Sequence, residues 1–591
     1  MDALLLLSRS LLIPLLFFAI LLVGRACHAD SKGQPHLKTI EVKWVEGDAT
    51  LEVQKAVDEA IETGADRLVF EKGRYEFTPG TNPKWSGYGI IFHSPKNMTI
   101  DGQGSEFIFD SKVGGFYIHE GENINLINLV IDWKRPLFSV GEVLESREKG
   151  FDVRIWDEFP VEGGEPVAAY MDYEKETRLP RIGGIDLYHG VERTELIAPQ
   201  TLRVFQRVDV RPSPGDLVVL RHQVYANNAI TLDHCKGARV ADLAIYTCPG
   251  MGIVAKNSHD VSISRLQVRP KPGTNRIIST TADATHFSGC TGMVRITDSY
   301  FEGMGDDAGN IKTGLYLTIK EILDNRTVVG QHNLNIPDPP SPGDLMEFID
   351  TEDLLTYATR RVESVTTPDN HSLHRVTFSE DLPSKLKVGD VIGNASRAAR
   401  VYIARNTVKN NRARGFLLQI RGAVVEDNHF ENITGAALNI CTEVVHFFES
   451  IGTRDITVRN NRMINCGYGA ALSQGAISIY ALLSEFREGP KPGVHSNIRL
   501  ENNIIDGSDN SGIFASATDG LHIQGNTITN VSRRATMDSG KAAIHIRSTR
   551  NAIIRGNQAL PEDQGKDSRE MLQFGPGVDM DTIRVEDNKG F

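Results

Sequence analysis

Three aspartates in one short stretch hold the most suggestive chemistry in this sequence. Thr280 to Lys312 reads TTADATHFSGCTGMVRITDSYFEGMGDDAGNIK, with Asp283 in ADATHF and the adjacent pair Asp306 and Asp307 in GMGDDAGN. Setting ADATHF over DDAGNI puts Asp283 on Asp307 and His286 on Asn310, 24 residues apart. The alternating segment VRITDSYFEG lies between them. That interval is one coil of a parallel β-helix, which stacks Asp283 on Asp307 at roughly 4.8 Å, the spacing of neighbouring strands. Asp306 sits beside them with its side chain pointing elsewhere. Carboxylates this close cannot all ionise at neutral pH. Repulsion raises at least one pKa and supplies a general acid, while the others stay ionised and can activate water. Acid–base hydrolysis of a glycoside requires these two roles.

Taken singly, Asp283 reads as a turn aspartate, and Asp306-Asp307 as a solvated turn or a calcium site. Calcium takes six to eight oxygens and the DxDxDG spacing is missing, so no metal or other cofactor is expected. The conjunction of the three favours catalysis. His286, Asn310 and Arg414 fall on the same face of successive coils and are candidates for substrate binding. Arg414 could also pair with Asp307 and tune it. Glu443, in NICTEVV on a long loop two coils away, is a further substrate-binding candidate. Four tryptophans are few for a sugar-stacking groove, which points to a pocket gripping one terminal sugar through polar contacts.

The elements that must position these residues are repetitive. A chain of 591 residues is too long for one ordinary core and implies several domains or a solenoid. Asn406, Asn428, Asn461, Asn503, Asn526, Asn557 and Asn588 each follow a β-rich tetrad, at spacings of 22, 33, 42, 23, 31 and 31 residues. Such periods, with 54 glycines and only 7% aromatic residues, mark a solenoid of short strands. Asn is expected to take the left-handed conformation at the corners and to stack in ladders. A leucine-rich repeat and a propeller lack their signatures here. Val53, Ala56, Val57, Ala60 and Ile61 trace one helical face that could cover the open end of the solenoid, with Asp48 as N-cap.

Two stretches, 133–225 and 313–400, lack the Asn-turn pattern and share the phrase SPGDL, at 213–217 and 341–345. They read as two inserted small β-barrels of related origin. Asp307 and Arg414 are 107 residues apart, and removing 313–400 leaves 19, close to one coil. Arg414 then stacks next after Asp307. The expected organisation is all-β. A leader occupies 1–29, and a right-handed parallel β-helix occupies 36–132, 226–312 and 401–591, with the barrels at 133–225 and 313–400. The aspartates lie in the middle part.

The leader has Arg9, an apolar run from Leu11 to Val23, and the small-x-small site Cys27-His28-Ala29. Its 13 apolar residues are short for a membrane span. Export to the periplasm or beyond, with cleavage near Ala29, is expected; Arg25 disfavours lipidation at Cys27. Five other cysteines, without a C-x-x-C pair, read as buried thiols rather than disulfides or metal ligands. A net charge of −12 without a basic stripe argues against nucleic acid.

The three aspartates on a parallel β-helix resemble those of the polygalacturonases, glycoside hydrolase family 28. There the first aspartate of the pair is the acid and the other two activate water. Ala413-Arg414-Gly415 replaces that family's GHG, and its uronate-gripping Arg-Ile-Lys has no counterpart near Ala436–Ile440, so pectin is an unlikely substrate. A closer resemblance covers nearly the whole chain after the leader. GGFYIHEGENI, VIDWKRPLF, DATHFSGC and GMGDDAGNIKTGLYL are similar to phrases of the α-1,3-galactosidases of glycoside hydrolase family 110. The resemblance implies a bacterial, exo-acting, inverting and metal-independent hydrolase of terminal α-1,3-linked galactose, in blood-group-B-type or linear glycans. It carries over Asp283, Asp306 and Asp307 as the catalytic set. Lys312-Thr313 departs from the His-Gly expected in many relatives and leaves a subsite contact open. The partner implied is an oligosaccharide or glycoconjugate ending in α-galactose; a homodimer stays open. The alternatives are another β-helix polysaccharide hydrolase and a non-catalytic glycan-binding solenoid.

Overall fold

Alternation of apolar and polar residues writes the coils. In THFS (Thr285–Ser288), Thr285 and Phe287 are buried while His286 and Ser288 face outward; in GNIK (Gly309–Lys312), Ile311 faces the core and Asn310 and Lys312 take the outer positions, although both are buried there too. The computed structural model describes residues 37–590 apart from 79, 81–86, 111–112, 315, 333–338, 369–371, 470–473, 485–486, 489–490, 535–541 and 561–570. The leader at 1–29, with Cys27, lies outside the described residues. Among those described, no helix is long and apolar enough to cross a membrane.

Repeated coils build a parallel β-helix. Among the described residues, one sheet collects 23 strands and another 13, and coil-to-coil pairing is parallel in both, a short antiparallel hairpin at Arg487–Glu488 aside. Their inward residues form one continuous core from Val42 to Ala559. Parallel crossovers of this kind are right-handed, because a right-twisted strand packs back on its sheet only that way.

The asparagine ladder is continuous. Asn406, Asn428, Asn461, Asn503, Asn526 and Asn557 each donate through Nδ2 to Oδ1 of the next asparagine at 2.9–3.0 Å, ending on Asn588. The left-handed corner residue is not the ladder asparagine but the residue before it: Arg405, Asp427, Asn460, Asn502, Gly525, Gly556 and Asp587 all have positive φ. The ladder side chain must point inward to reach its neighbour, so the preceding residue makes the turn. Ser299 continues the column toward the N-terminus, its N–H donating to Asn406 Oδ1 and its Oγ accepting from Leu266 N–H.

Helix Thr50–Glu62 buries Val53, Val57 and Ala60 against the first coils. Its N-cap is Ala49 rather than Asp48; Asp48 Oδ1 instead accepts from the N–H and hydroxyl of Thr50. Buried Gln54 covers the edge of strand Tyr88–His93. Its amide donates to Ile91 O at 2.8 Å and accepts from Ile91 N–H at 3.0 Å, as a neighbouring strand would. Cys235, Cys248, Cys290, Cys441 and Cys466 are free and buried, as the cysteine spacing implies.

Two antiparallel units interrupt the coil. Strands from Phe138 to Arg221 form a seven-stranded sheet with its own apolar cluster. Strands from Leu317 to Asn394 close into a six-stranded barrel around Leu317, Ile319, Phe348 and Phe378. The coil resumes in register across the second unit, with Gly309 paired to Phe416 and Ile311 to Leu418.

Replacing a mid-ladder asparagine should test this spine. Asn461→Ala strips Asn428 of the acceptor for both its backbone and side-chain N–H. The expected cost is about 2–4 kcal/mol, because buried donors are left unpaired. Asn588→Ala, at the end of the ladder, should cost clearly less. Urea denaturation of the two variants compares them, and equal losses would contradict a cooperative ladder.

Candidate active site

Three successive coils present their turns at one point. Residues 281–283, 305–307 and 412–414 precede strands Thr285–Ser288, Gly309–Lys312 and Phe416–Gln419, which pair in register. His286 lies opposite Asn310, as the alignment of the two segments predicts. The backbone knits the turns together: Ala284 N–H donates to Asp307 O and Ala308 N–H to Arg414 O. Asn411 Nδ2 bridges the carbonyls of Asp306 and Arg414, each at 2.8 Å. Gly305 must be glycine, because a Cβ there would stand 2.3 Å from Thr281 O.

This stacking brings an oxygen from each of Asp283, Asp306 and Asp307 within 4.8 Å of the others. Asp283 Oδ2 lies 2.8 Å from His286 Nδ1, and its Oδ1 accepts from Asp307 N–H. Asp307 accepts from Arg414 three times, once from the backbone N–H and twice from the guanidinium, at 3.0–3.1 Å. Asp306 points the other way. Its Oδ1 accepts from Arg412 at 3.2 Å and its Oδ2 from the Tyr225 hydroxyl at 2.9 Å. Three carboxylates so arranged could hold a divalent cation, but Arg412 and Arg414 already supply positive charge at two of them.

Burial, followed by the charge of Asp306, pushes the Asp283 carboxyl well above the usual carboxylate range. Burial raises Asp307 as well, with Arg414 pulling against it. Burial, and then Lys312, push His286 down to about 3, so its imidazole is neutral. In the tautomer that carries its proton on Nδ1, His286 donates to Asp283 Oδ2 and Nε2 is left as an acceptor. Lys312 is itself buried and ion-paired with Glu449. Burial acts to raise Glu449, but its basic neighbours, Lys312 foremost and Arg414 among them, hold that carboxyl below its ordinary value.

Two cavities flank the triplet. One, of about 150 Å³, lies between the first inserted unit and the coils; Asp186, Arg412, Arg414, Asn439 and Tyr480 help to line it. The other, of about 370 Å³, is bounded by Tyr225, His286 and Lys312 on one side and by Leu317 and Met346 of the barrel on the other. Asn310 and Asn439 have buried Oδ1 atoms without a hydrogen-bond partner, acceptors available to hydroxyl groups.

Six of the seven residues singled out from sequence come together here: Asp283, Asp306, Asp307, His286, Asn310 and Arg414. Glu443 does not join them. Its carboxylate accepts from the N–H groups of Val445, His446, Phe447 and Glu449, shaping its own loop. Glu449, at the end of that loop, is the acid that reaches the site. Sequence reasoning also missed Arg412, Tyr225, Asp186 and Arg221. Arg412 carried a signal, standing two residues before Arg414 in one turn. Arg221 is fully buried and donates to Thr281 O and Gly305 O, the carbonyls of the two aspartate-bearing turns. It also reaches Asp186, which forms an ion pair with Arg412.

Asp283→Asn should raise stability near pH 7.5. A carboxyl whose pKa is raised on folding contributes stability that is complete below its unfolded value and is lost as pH rises through the folded one. Asparagine keeps the neutral form at all pH. A gain in urea denaturation is expected at pH 7.5, shrinking as pH falls below the raised pKa of Asp283. A loss of stability at pH 7.5 would contradict the charge strain.

Residues 339–392, within the barrel, match the domain family described as GLAA-B beta-barrel domain II. Over 506 residues the chain is 30% identical to alpha-1,3-galactosidase B of Bacteroides fragilis, covering 78% of this chain and 84% of that protein. Over 550 residues it is 29% identical to alpha-1,3-galactosidase B of Phocaeicola vulgatus, covering 84% and 89%. Alpha-1,3-galactosidase A of Shewanella woodyi is 27% identical over 547 residues, covering 87% and 88%. The chain therefore belongs to the α-1,3-galactosidase family, glycoside hydrolase family 110.

Proposed function

We propose that this protein is an exported, exo-acting α-1,3-galactosidase that releases terminal α-1,3-linked galactose with inversion. One observation carries the reading: three carboxylates within 4.8 Å, each held by its own donors, between two cavities. Asp306 is the general acid and donates its proton to the glycosidic oxygen as the bond to the anomeric carbon breaks. Asp283 and Asp307 together take a proton from one water, whose oxygen bonds the anomeric carbon from the opposite face. Neutral His286, Asn310 and Arg414 orient sugar hydroxyls. Two partly open cavities lined by neighbours of the triplet, Arg412 and Arg414 in one and His286 in the other, suit a terminal sugar.

The carboxylates stand closer than the 6.5–9.5 Å usual for an inverting acid and base, and nearer the ~5–5.5 Å of retaining pairs. Inversion is still favoured here, because the anchoring differs from that of a free nucleophile. Asp283 is tied through both oxygens to His286 and Asp307 N–H, and Asp307 through both oxygens to Arg414. Two fixed acceptors side by side suit one shared water, and a retaining site needs only one nucleophile.

Proton NMR of the first-formed sugar decides the stereochemistry. β-Galactose should appear before mutarotation; initial α-galactose, or a trapped galactosyl-aspartate, would overturn the assignment. Asp306→Asn should lower kcat on an α-1,3-linked digalactoside by roughly 10²–10⁴-fold, and on an activated aryl galactoside much less, since a good leaving group needs little protonation. Asp283→Asn and Asp307→Asn should impair both substrates.

A further inference from the structure

A second cluster of ligating side chains lies on the outer face of the same sheet, toward the N-terminus from the aspartates. His93, His119, Asp233 and Lys256 form one column, paired in register on four consecutive strands. His234 follows Asp233 with φ 54°, which turns its ring back on the column. Its Nδ1 lies 2.8 Å from Asp233 Oδ1. The rings of His119 and His234 meet edge to face, with centroids 5.8 Å apart.

One nitrogen from each imidazole and one oxygen of Asp233 all lie within 4.8 Å of one another. His119 Nδ1 is shielded from solvent and makes no hydrogen bond, although Asp233 Oδ2 is 3.5 Å away. The Tyr117 hydroxyl donates to Asp233 Oδ2 at 2.7 Å and orients the carboxylate. The Lys256 ammonium stands 3.2 Å from the same oxygen. The proposed hydrolysis uses none of these groups.

We propose that His119, Asp233 and His234 form a binding site for a borderline divalent transition-metal ion such as Zn²⁺. Two imidazoles and a carboxylate are a donor set that such ions favour, and water completes the tetrahedron. Lys256 is the built-in competitor, since its ammonium neutralises Asp233 when no ion does. Metal binding therefore displaces Lys256, which also lines the cavity beside His286 and Lys312. That couples the ion to the substrate cavity through one side chain.

Isothermal titration of Zn²⁺ into the purified chain at pH 7.5, in a non-chelating buffer, tests the site. One ion per chain is expected, with unchanged affinity in Asp306→Asn. His119→Ala and Asp233→Asn should each weaken binding about tenfold or more. Lys256→Met, which removes the competing charge and leaves all three ligands, should tighten it. That variant keeps the test independent of any folding defect in the ligand substitutions. The proposal is overturned by an absence of binding, by binding that survives His119→Ala, by affinity unchanged or weakened in Lys256→Met, or by binding lost in Asp306→Asn.

Discussion

Mutual repulsion among Asp283, Asp306 and Asp307 is the unfavourable interaction around which the middle of this protein is built. Buried carboxylates within 4.8 Å of one another resist ionisation, and only compensating charge makes such a cluster tolerable. The compensation is specific. Arg414 takes Asp307, Arg412 takes Asp306, and Lys312 stands within electrostatic reach of Asp283 while bound to Glu449. Each cation faces one acid more than another, so the three carboxylates are inequivalent. That inequivalence divides the acids by their partners, although the two carboxyls that burial raises are Asp283 and Asp307, the pair assigned to activate water.

The β-helix makes the cluster possible by geometry alone. Parallel coils in register bring equivalent turn positions one strand spacing apart. No long-range folding event beyond coil stacking is needed to align Asp283, Asp307 and Arg414. The inserted units then act on the turns from either side. Arg221, at the end of the first, grips the carbonyls of Thr281 and Gly305 from within the protein. The barrel of the second supplies Leu317 and Met346 to the wall of one cavity. A solenoid surface alone is open, and the insertions wall part of it into cavities.

What could be read from sequence follows the same division. Residues on the coil, such as Asp283, His286, Asn310 and Arg414, obey a period, so one alignment of ADATHF with DDAGNI locates them. The asparagine ladder was legible for the same reason. Its corners were misread, because an inward-pointing ladder residue cannot also make the left-handed turn, and Arg405 or Asp427 makes it instead. Residues off the coil obey no period. Tyr225, Asp186 and Arg221 reach the site from the first insertion and the segment after it, where no register links sequence to position. Glu443 and Glu449 show the difference within one loop: an acid at the end of a strand spends its oxygens on the loop's own N–H groups, and the acid six residues later meets Lys312.

The central claim is that the stacked turns act as one catalytic centre with divided roles. A crystal structure of Asp306→Asn with an intact α-1,3-linked digalactoside tests it most directly. The account requires the glycosidic oxygen against the residue 306 side chain. It also requires a water held between Asp283 and Asp307, on the opposite face of the anomeric carbon. A sugar seated away from the three turns, or an anomeric carbon packed directly on one of the two remaining carboxylates with no room for water, would contradict it.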